Sequence, residues 1–264
     1  MNSSASIVAA GHRLEYTWIG RPAGGAAIVL LHEGLGSVAM WRDFPSAVHA
    51  ATGLPVLAYS RWGYGASEPI PPAPRSIDYD TWEAREVLPA LLRSLGVERP
   101  ILIGHSDGGT IALIYAGSGL EPAPLGVLAL AAHLFVEPVS TISIAKARVA
   151  YEEGGLREKL ARFHADVDGA FYSWNTTWLL PAFIRGFNIE ADVARVRCPV
   201  LALQGAEDEY GTLRQLEAIS GLTDGRAEIV LLPDCRHSPH RDQREATLTA
   251  IARFVAALRA KDSQ

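Results

Sequence analysis

Cysteine is scarce in this chain, which has only Cys198 and Cys235 among its 264 residues. Two thiols cannot build the disulfide framework of a small secreted protein, so we expect reduced thiols and a cytoplasmic location. Cys235 stands two residues before His237, and we interpret it as a small apolar side chain rather than a catalytic thiol.

The chain also lacks an excess of basic charge and a long apolar run. Its 24 Lys and Arg stand against 29 Asp and Glu, a net charge of −5, which excludes the basic surface that nucleic-acid binding needs. No apolar run approaches the roughly 20 residues of a membrane span. Residues 1–6 have neither the basic nor the apolar part of a signal peptide. We therefore expect no nucleic acid and no membrane as partners.

A metal site is not expected either. The pair His237-x-x-His240 has ligand-like spacing, but no third convergent ligand accompanies it, so we predict no metal and no cofactor. With 48% hydrophobic residues, the chain is long enough to bury a large core. The composition agrees with a soluble enzyme, for which we expect a small-molecule substrate and a monomeric or homodimeric state.

The most informative stretch is residues 101–113, where Gly104-x-Ser106-x-Gly108 lies between a strand-like apolar run and a helix-like one. A serine at such a sharp turn stands clear of the sheet, and the flanking glycines keep the turn free of clashes. The following helix directs its first amides at any negative charge that forms nearby. Ser106 is therefore a candidate nucleophile; the alternative is an N-cap serine in a glycine-rich turn.

An acid and a base follow in the chain. Asp208 comes just after the strand-like run 199–204, and His237 comes just after the run 227–232. In an open parallel sheet the carboxyl ends of the strands meet at one edge, where ligands bind. We therefore expect Ser106, Asp208 and His237 to lie together as nucleophile, acid and base.

With these motifs the chain resembles the α/β-hydrolase family over nearly its whole length. The matching pieces are the Leu30-Leu31-His32-Glu33-Gly34-Leu35-Gly36 and Ser60-Arg61-Trp62-Gly63-Tyr64-Gly65-Ala66-Ser67 stretches, the serine turn, the 205–208 loop and Cys235-Arg236-His237-Ser238. The resemblance implies the order Ser, acid, His that this chain has. Two positions depart from the family pattern: Glu33 and Arg236 stand where the family often has glycine. The first puts an unusual carboxylate near the expected oxyanion site.

The fold class predicted is α/β, with the α/β-hydrolase fold: a mostly parallel, doubly wound sheet of about eight strands. Near-continuous Val, Ile and Leu strands that alternate with helices are typical of a sheet covered on both faces. Strands are predicted at 6–10, 13–19, 27–31, 55–59, 101–103, 126–131, 200–204 and 229–232, the first two as an antiparallel pair. Helices are predicted at 40–51, 79–95, 108–116, 213–219 and 241–259.

More than sixty residues after the sixth strand break this rhythm. We interpret residues 133–190 as a helical lid inserted into a core formed by 1–132 and 191–264. The lid aromatics are expected to line a mostly apolar substrate pocket, although most of them could instead form the lid's own core. The residues predicted to contribute to this pocket are Glu33, Leu35, His105, His133, Phe135, Trp174 and Trp178.

Attack by a serine puts negative charge on the carbonyl oxygen, which backbone N–H groups can stabilise. We expect one donor to be the amide of Asp107 and the other to be that of Gly34, with Leu35 as the second choice. Glu33 either orients the substrate or packs under its loop through a hydrogen bond. Arg61, on the loop after the fourth strand, is interpreted as structural.

Three functions agree with these features. The first is a cofactor-free serine hydrolase of carboxylic esters, thioesters or lactones. The second is a hydrolase of carbon–carbon bonds in ring-cleavage diketo acids, which a pocket arginine would support; Arg148, Arg162 and Arg185 are the candidates. The third is a ligand receptor that keeps the catalytic residues but turns over slowly.

Overall fold

A computed structural model describes residues 4–20 and 25–262, with the side chains of residues 261 and 262 excepted. The first three residues of the segment inspected for a signal peptide lie outside these ranges. One eight-stranded sheet organises the described chain, in the order β1-β2-β4-β3-β5-β6-β7-β8. Its strands are β1 (Ala5–Ala9), β2 (His12–Ile19), β3 (Ala26–Leu31), β4 (Val56–Tyr59), β5 (Arg99–His105), β6 (Gly126–Leu130), β7 (Val200–Gly205) and β8 (Ala227–Leu232). β1–β2 and β2–β4 are antiparallel, and every other pairing is parallel.

Twelve α-helices are described. They are α1 (Phe44–Thr52), α2 (Tyr79–Trp82), α3 (Leu88–Ser94), α4 (Asp107–Gly117), α5 (Pro138–Glu152), α6 (Leu156–Leu160), α7 (Val167–Trp178), α8 (Pro181–Gly186), α9 (Glu190–Val193), α10 (Leu213–Leu222), α11 (Pro239–Asp242) and α12 (Arg244–Asp262). None of these helices is long and apolar enough to cross a membrane.

The central strands are buried on both faces, which explains their unbroken apolar sequences. Successive side chains of a strand point to opposite faces. In β3, Val29 and Leu31 join the core beneath α2, α3 and α4, whereas Ile28 and Leu30 join the core beneath α1 and α12. The α/β-hydrolase fold predicted from the sequence is confirmed.

Parallel pairing brings the carboxyl ends of the central strands to one edge of the sheet. Leu31 is in register with Gly104, His105 with Leu130 and Gly205 with Leu232. The loops that follow β3, β5, β7 and β8 therefore start side by side. This edge carries the candidate site.

The predicted elements are present, but several boundaries were wrong. The helix expected at 40–51 begins at Phe44, after a 3-10 turn at Ala39–Trp41. The helix expected at 79–95 contains a π-helical turn, Glu83–Val87, before α3. Pro89 follows that turn. Proline lacks an N–H, and in a regular α-helix its ring would clash with the carbonyl four residues earlier. The wider π-helical turn accommodates both the missing hydrogen bond and the ring. The last helix is divided at Gln243, which leaves helical geometry between α11 and α12.

Helices α5 to α9 occupy the segment between β6 and β7 that the sequence set apart from the sheet. Phe135 and Asn188 form an isolated β-bridge that holds the two ends of this segment together. A second backbone hydrogen bond joins the same two ends, from the amide of Ile189 to the carbonyl of Leu134 at 2.8 Å. We refer to residues 133–190 as the inserted segment.

Candidate active site

Ser106 occupies the turn between β5 and α4 in a strained backbone conformation, with φ 52° and ψ −119°. Positive φ is uncommon for residues other than glycine and is concentrated at functional sites. The two flanking glycines are required by space. A Cβ on Gly104 would lie 2.1 Å from the carbonyl oxygen of Gly108, and one on Gly108 would lie 2.1 Å from that of Leu31.

The loops after β7 and β8 bring an acid and an imidazole to this serine. Oγ of Ser106 donates to Nε2 of His237 at 3.0 Å, and Nδ1 of His237 donates to Oδ1 of Asp208 at 2.8 Å. Burial by itself raises the pKa of Asp208, but hydrogen bonds from His237 and from the Tyr210 amide outweigh it and lower the pKa overall. The carboxylate therefore stays ionised and holds the imidazole with Nε2 free to accept a proton.

Three other rings surround the His237 imidazole: Tyr210 at 4.6 Å between centroids, His105 at 5.2 Å and His133 at 5.7 Å. Nε2 of His105 donates to the backbone carbonyl of His237 at 2.7 Å and so fixes the loop that carries it. Burial, helped by the nearby His237, lowers the pKa of His133 to about 4. His133 is therefore a neutral neighbour at physiological pH.

The loop after β3 makes a tight turn beside Ser106. The amide of Gly36 donates to the carbonyl of Glu33 at 3.0 Å. The amides of Gly34 and Leu35, inside the turn, have no partner among the described residues. A second carbonyl of the loop, that of Leu35, accepts from Nε2 of His164 in the inserted segment at 3.0 Å. The turn thus presents free N–H groups on a backbone held at two points.

The carboxylate of Glu33 is ionised although it is largely buried. Burial raises its pKa, but the contact with His105 and the charge of Arg241 lower it well below the usual value. Oε2 lies 3.5 Å from Nδ1 of His105, and Oε1 lies 3.7 Å from Nη2 of Arg241. Glu33 therefore links the turn after β3 to the end of β5, through His105, and to α11, through Arg241.

A cavity of about 250 Å³ opens onto Ser106. It contains several residues expected from the sequence, namely Glu33, Gly34, Leu35, His105 and Trp174. Three further residues line the cavity that were not predicted from the sequence: Glu209, Tyr210 and Ser238. Their position just after Asp208 and His237 in the same two loops is the signal that could have identified them.

Three residues predicted for the pocket do not line this cavity. Trp178 packs against Phe183 and Phe187, with centroids 5.0 and 5.7 Å away. Phe135 lies under the guanidinium of Arg214 at 5.3 Å. His133 is buried between Trp178 and His237. Aromatic rings bury most area against one another, so most rings of the inserted segment form its own core.

Trp174 is the aromatic residue of the inserted segment that reaches the cavity. Its Nε1 lies 2.1 Å from the position that a Cβ on Gly34 would take. The indole of α7 therefore sits directly on the turn after β3, and position 34 has no room for a side chain.

The described chain, residues 4–20 and 25–262, contains no group of three or more His, Cys, Asp and Glu side chains that could hold a metal ion. His240 packs on Trp41 and Phe44 instead of facing His237 as a second ligand. Cys198 and Cys235 are both free thiols, and Cys235 is buried.

The family model described as "Alpha/beta hydrolase family" matches residues 28–250. A proline iminopeptidase of Levilactobacillus brevis is 25% identical over 87% of this chain and 88% of its own length. Among solved structures, a carboxylesterase of Nitrososphaera gargenis superposes with a TM-score of 0.75 at 18% identity, covering 98% of this chain and 100% of its own. The enol-lactonase of Burkholderia xenovorans LB400 superposes with a TM-score of 0.73 at 19% identity, covering 96% and 100%.

Proposed function

The chain belongs to the alpha/beta hydrolase family, and from this we propose that it is a cofactor-free serine hydrolase that cleaves a carboxylic ester, thioester or lactone through an acyl-Ser106 intermediate. The observation that carries the proposal is the continuous chain of hydrogen bonds from Ser106 through His237 to Asp208, 3.0 and 2.8 Å long. A serine becomes a nucleophile when a neighbouring base accepts its proton and a third group orients that base.

In the proposed mechanism, Nε2 of His237 accepts the proton as Oγ of Ser106 attacks the carbonyl carbon. The oxygen that becomes negative is stabilised by the amides of Gly34 and Asp107. The tetrahedral intermediate then collapses, and His237 gives its proton to the leaving alcohol or thiol. Water attacks the acyl group in the same way, with His237 as base, and releases the acid.

Asp208 serves as the acid rather than its neighbours. Glu209 is engaged elsewhere, since its carboxylate accepts from the backbone amide of His237 at 3.2 Å and lies 3.1 Å from Nη2 of Arg236. Glu207 is exposed. Of the three carboxylates, that of Asp208 accepts the hydrogen bond from Nδ1 of the imidazole ring.

The substrate is small and largely apolar on this proposal. A cavity of about 250 Å³ with Leu35, Trp174 and Tyr210 in its walls suits a short acyl group. The inserted segment acts as the lid, since Trp174 covers the turn that carries the Gly34 amide. The cytoplasmic location and the monomeric or homodimeric state stay predictions from the sequence.

Hydrolysis of ring-cleavage diketo acids is less well supported. The charged side chains that line the cavity are the carboxylates Glu33 and Glu209, which would repel an anionic substrate. Arg148 donates to Asn175 and Thr176 inside the inserted segment, and Arg162 and Arg185 are exposed. A receptor without turnover is also disfavoured, because the serine, imidazole and carboxylate are already at hydrogen-bond distances.

The proposal is tested with nitrophenyl esters of increasing acyl length, assayed beside a ring-cleavage diketo acid. We expect turnover of the short esters and a loss of about 10⁴–10⁶ in kcat in Ser106→Ala, as for other serine triads. A fluorophosphonate should label Ser106, as read by peptide mass spectrometry. Ser220→Ala, which changes an exposed serine on α10, serves as the control. Labelling at another serine, or near-full activity in Ser106→Ala, would refute the assignment.

A further inference from the structure

Arg61 is a buried guanidinium that the proposed reaction does not use directly. It follows β4 by two residues, and its side chain is 0% exposed. Nη2 donates to the carbonyl of Glu33 at 2.9 Å and to Oδ2 of Asp107 at 3.4 Å. These acceptors belong to the two segments that carry the proposed oxyanion donors.

The first acceptor is part of the same peptide unit as the Gly34 N–H. A trans peptide is planar, so the direction of its C=O determines the opposite direction of its N–H. The Glu33 carbonyl accepts from the Gly36 amide at 3.0 Å, from Nδ1 of His32 at 2.7 Å and from Arg61. Arg61 is the cationic donor of the three, and donation to a carbonyl also strengthens its amide as a donor.

His32 completes this arrangement. The backbone amide of Arg61 donates to Nε2 of His32 at 3.0 Å, which leaves the proton on Nδ1 to point at the Glu33 carbonyl. Burial, helped by the charge of Arg61, lowers the pKa of His32 well below its usual value, so the ring stays neutral and can accept at Nε2. Both the backbone and the side chain of Arg61 thus act on one carbonyl.

The second acceptor stands beside Ser106. The carboxylate of Asp107 also accepts from the hydroxyl of Tyr79 at 2.7 Å, and this hydroxyl accepts from Nε1 of Trp178 at 2.9 Å. The backbone amide of the same Asp107 is the other proposed oxyanion donor. One guanidinium therefore connects the two sides of the oxyanion site.

We propose that Arg61 is the positioning residue of the oxyanion hole: it holds the Glu33–Gly34 peptide and Asp107 at the spacing that the negative oxygen requires. This inference rests on the proposed function, since it presupposes that the oxygen binds at these amides. A lysine should replace it only in part, because its ammonium is a strongly hydrated point charge on a flexible stem, which is harder to bury and to hold in place than a guanidinium.

The test compares Arg61→Met and Arg61→Lys with wild type in kcat, in KM and in the inhibition constant of a trifluoromethyl ketone, which forms the tetrahedral oxyanion on the serine. We expect Arg61→Met to lower kcat by about 10²–10³, the range for loss of one oxyanion donor. KM should change little, and the inhibition constant should rise by the same factor as kcat/KM falls. Arg61→Lys should recover only part of the loss.

Arg75→Met is the matched control. Arg75 is another buried guanidinium, and it packs on the same Tyr64 ring at 5.0 Å, against 4.9 Å for Arg61. It donates to the carbonyl of Trp62 and to Ser173, not to the oxyanion site. We expect Arg75→Met to lose stability while it keeps kcat and the inhibition constant.

Should Arg61→Met fail to fold, His32→Phe removes the other side-chain donor to the Glu33 carbonyl and should give the same signature. Unchanged kcat and inhibition constant in either folded variant, with wild type labelled at Ser106, would overturn the inference alone. Turnover by Ser106→Ala would overturn the proposed function and the inference with it.

Discussion

His237 and His240 lie three residues apart, yet their surroundings give them different properties. The His237 ring is hydrogen-bonded on both nitrogens, to Ser106 and to Asp208. The His240 ring is buried against Trp41 and Phe44, and neither of its nitrogens has a hydrogen-bond partner among the described residues. Burial, with the nearby His105, lowers the pKa of His240 well below its usual value. His240 is thus a neutral ring that fills space.

We expect His237→Ala to lose about 10⁴-fold or more in kcat, because the serine loses its base. His240→Phe should keep substantial activity, since it removes no hydrogen bond and preserves the ring. Initial rates with a short ester, together with thermal unfolding of each variant, measure both effects. The opposite pattern would transfer the role of base to His240.

Helix α7 carries two tryptophans one turn apart that face different surroundings. Trp174 lines the cavity at Ser106, whereas Trp178 packs on Phe183 and Phe187. An α-helix turns once in about 3.6 residues, so the two rings share a face but lie at different depths along it. The position along the helix therefore decides which ring limits the cavity.

Trp174→Ala should shift the preference toward longer acyl chains, because it removes the ring that covers the Gly34 turn. Each methylene that the enlarged cavity accepts should add about 0.8 kcal/mol of transition-state binding. The measurement is kcat/KM across esters of two to ten acyl carbons. Trp178→Phe is the control and should lose stability without a change in chain-length preference. An unchanged profile in Trp174→Ala would mean that the ring does not limit the acyl site.

Across the whole molecule, buried titratable groups make the stability depend on pH. Burial lowers the pKa of His32, His133, His164 and His240. The unfolded chain, with pKa values near 6.5, therefore takes up protons first as the pH falls. Their contribution to the free energy of unfolding is complete above about pH 6.5 and decreases below it. For His133, whose pKa is about 4, the loss between pH 6.5 and 5 is about 2 kcal/mol.

Asp80 and Glu83 act in the opposite direction. Burial raises the pKa of both, and the charge of Asp107 raises it further, so the folded state holds their protons at a higher pH than the unfolded chain does. Their ionisation costs stability as the pH rises. The effect of one histidine can be separated from these carboxyl groups by comparing the free energy of unfolding of a histidine variant with that of wild type at two pH values.

We expect His240→Phe to lose less stability than wild type between pH 7 and pH 5, because the variant lacks one imidazole that must be protonated on unfolding. Urea unfolding at both pH values, followed by tryptophan fluorescence, gives the two free-energy differences. Equal losses in the two proteins would contradict the lowered pKa of His240.

Local sequence patterns were sufficient for the fold and for the three residues of the proposed triad. The Ser106 turn requires glycine at positions 104 and 108, so it can be recognised from the five consecutive residues 104–108. Asp208 and His237 could be located because the carboxyl ends of parallel strands meet at one edge of the sheet. Residues that directly follow different strands are therefore close together in the fold. The central strands could also be predicted from the sequence, since strands buried on both faces are apolar throughout.

Tertiary packing alone decided which side chains face the serine. From the sequence, the aromatic side chains of Phe135, Trp174 and Trp178 are all expected to be buried. The hydrophobic effect is non-directional, however, so it does not specify which residues each ring packs against. Only the docking of α7 on the turn after β3 selects Trp174. Arg61 illustrates the same limit: its charge is visible in the sequence, whereas its contact with the Glu33 carbonyl, 28 residues away, depends on β3 and β4 lying side by side.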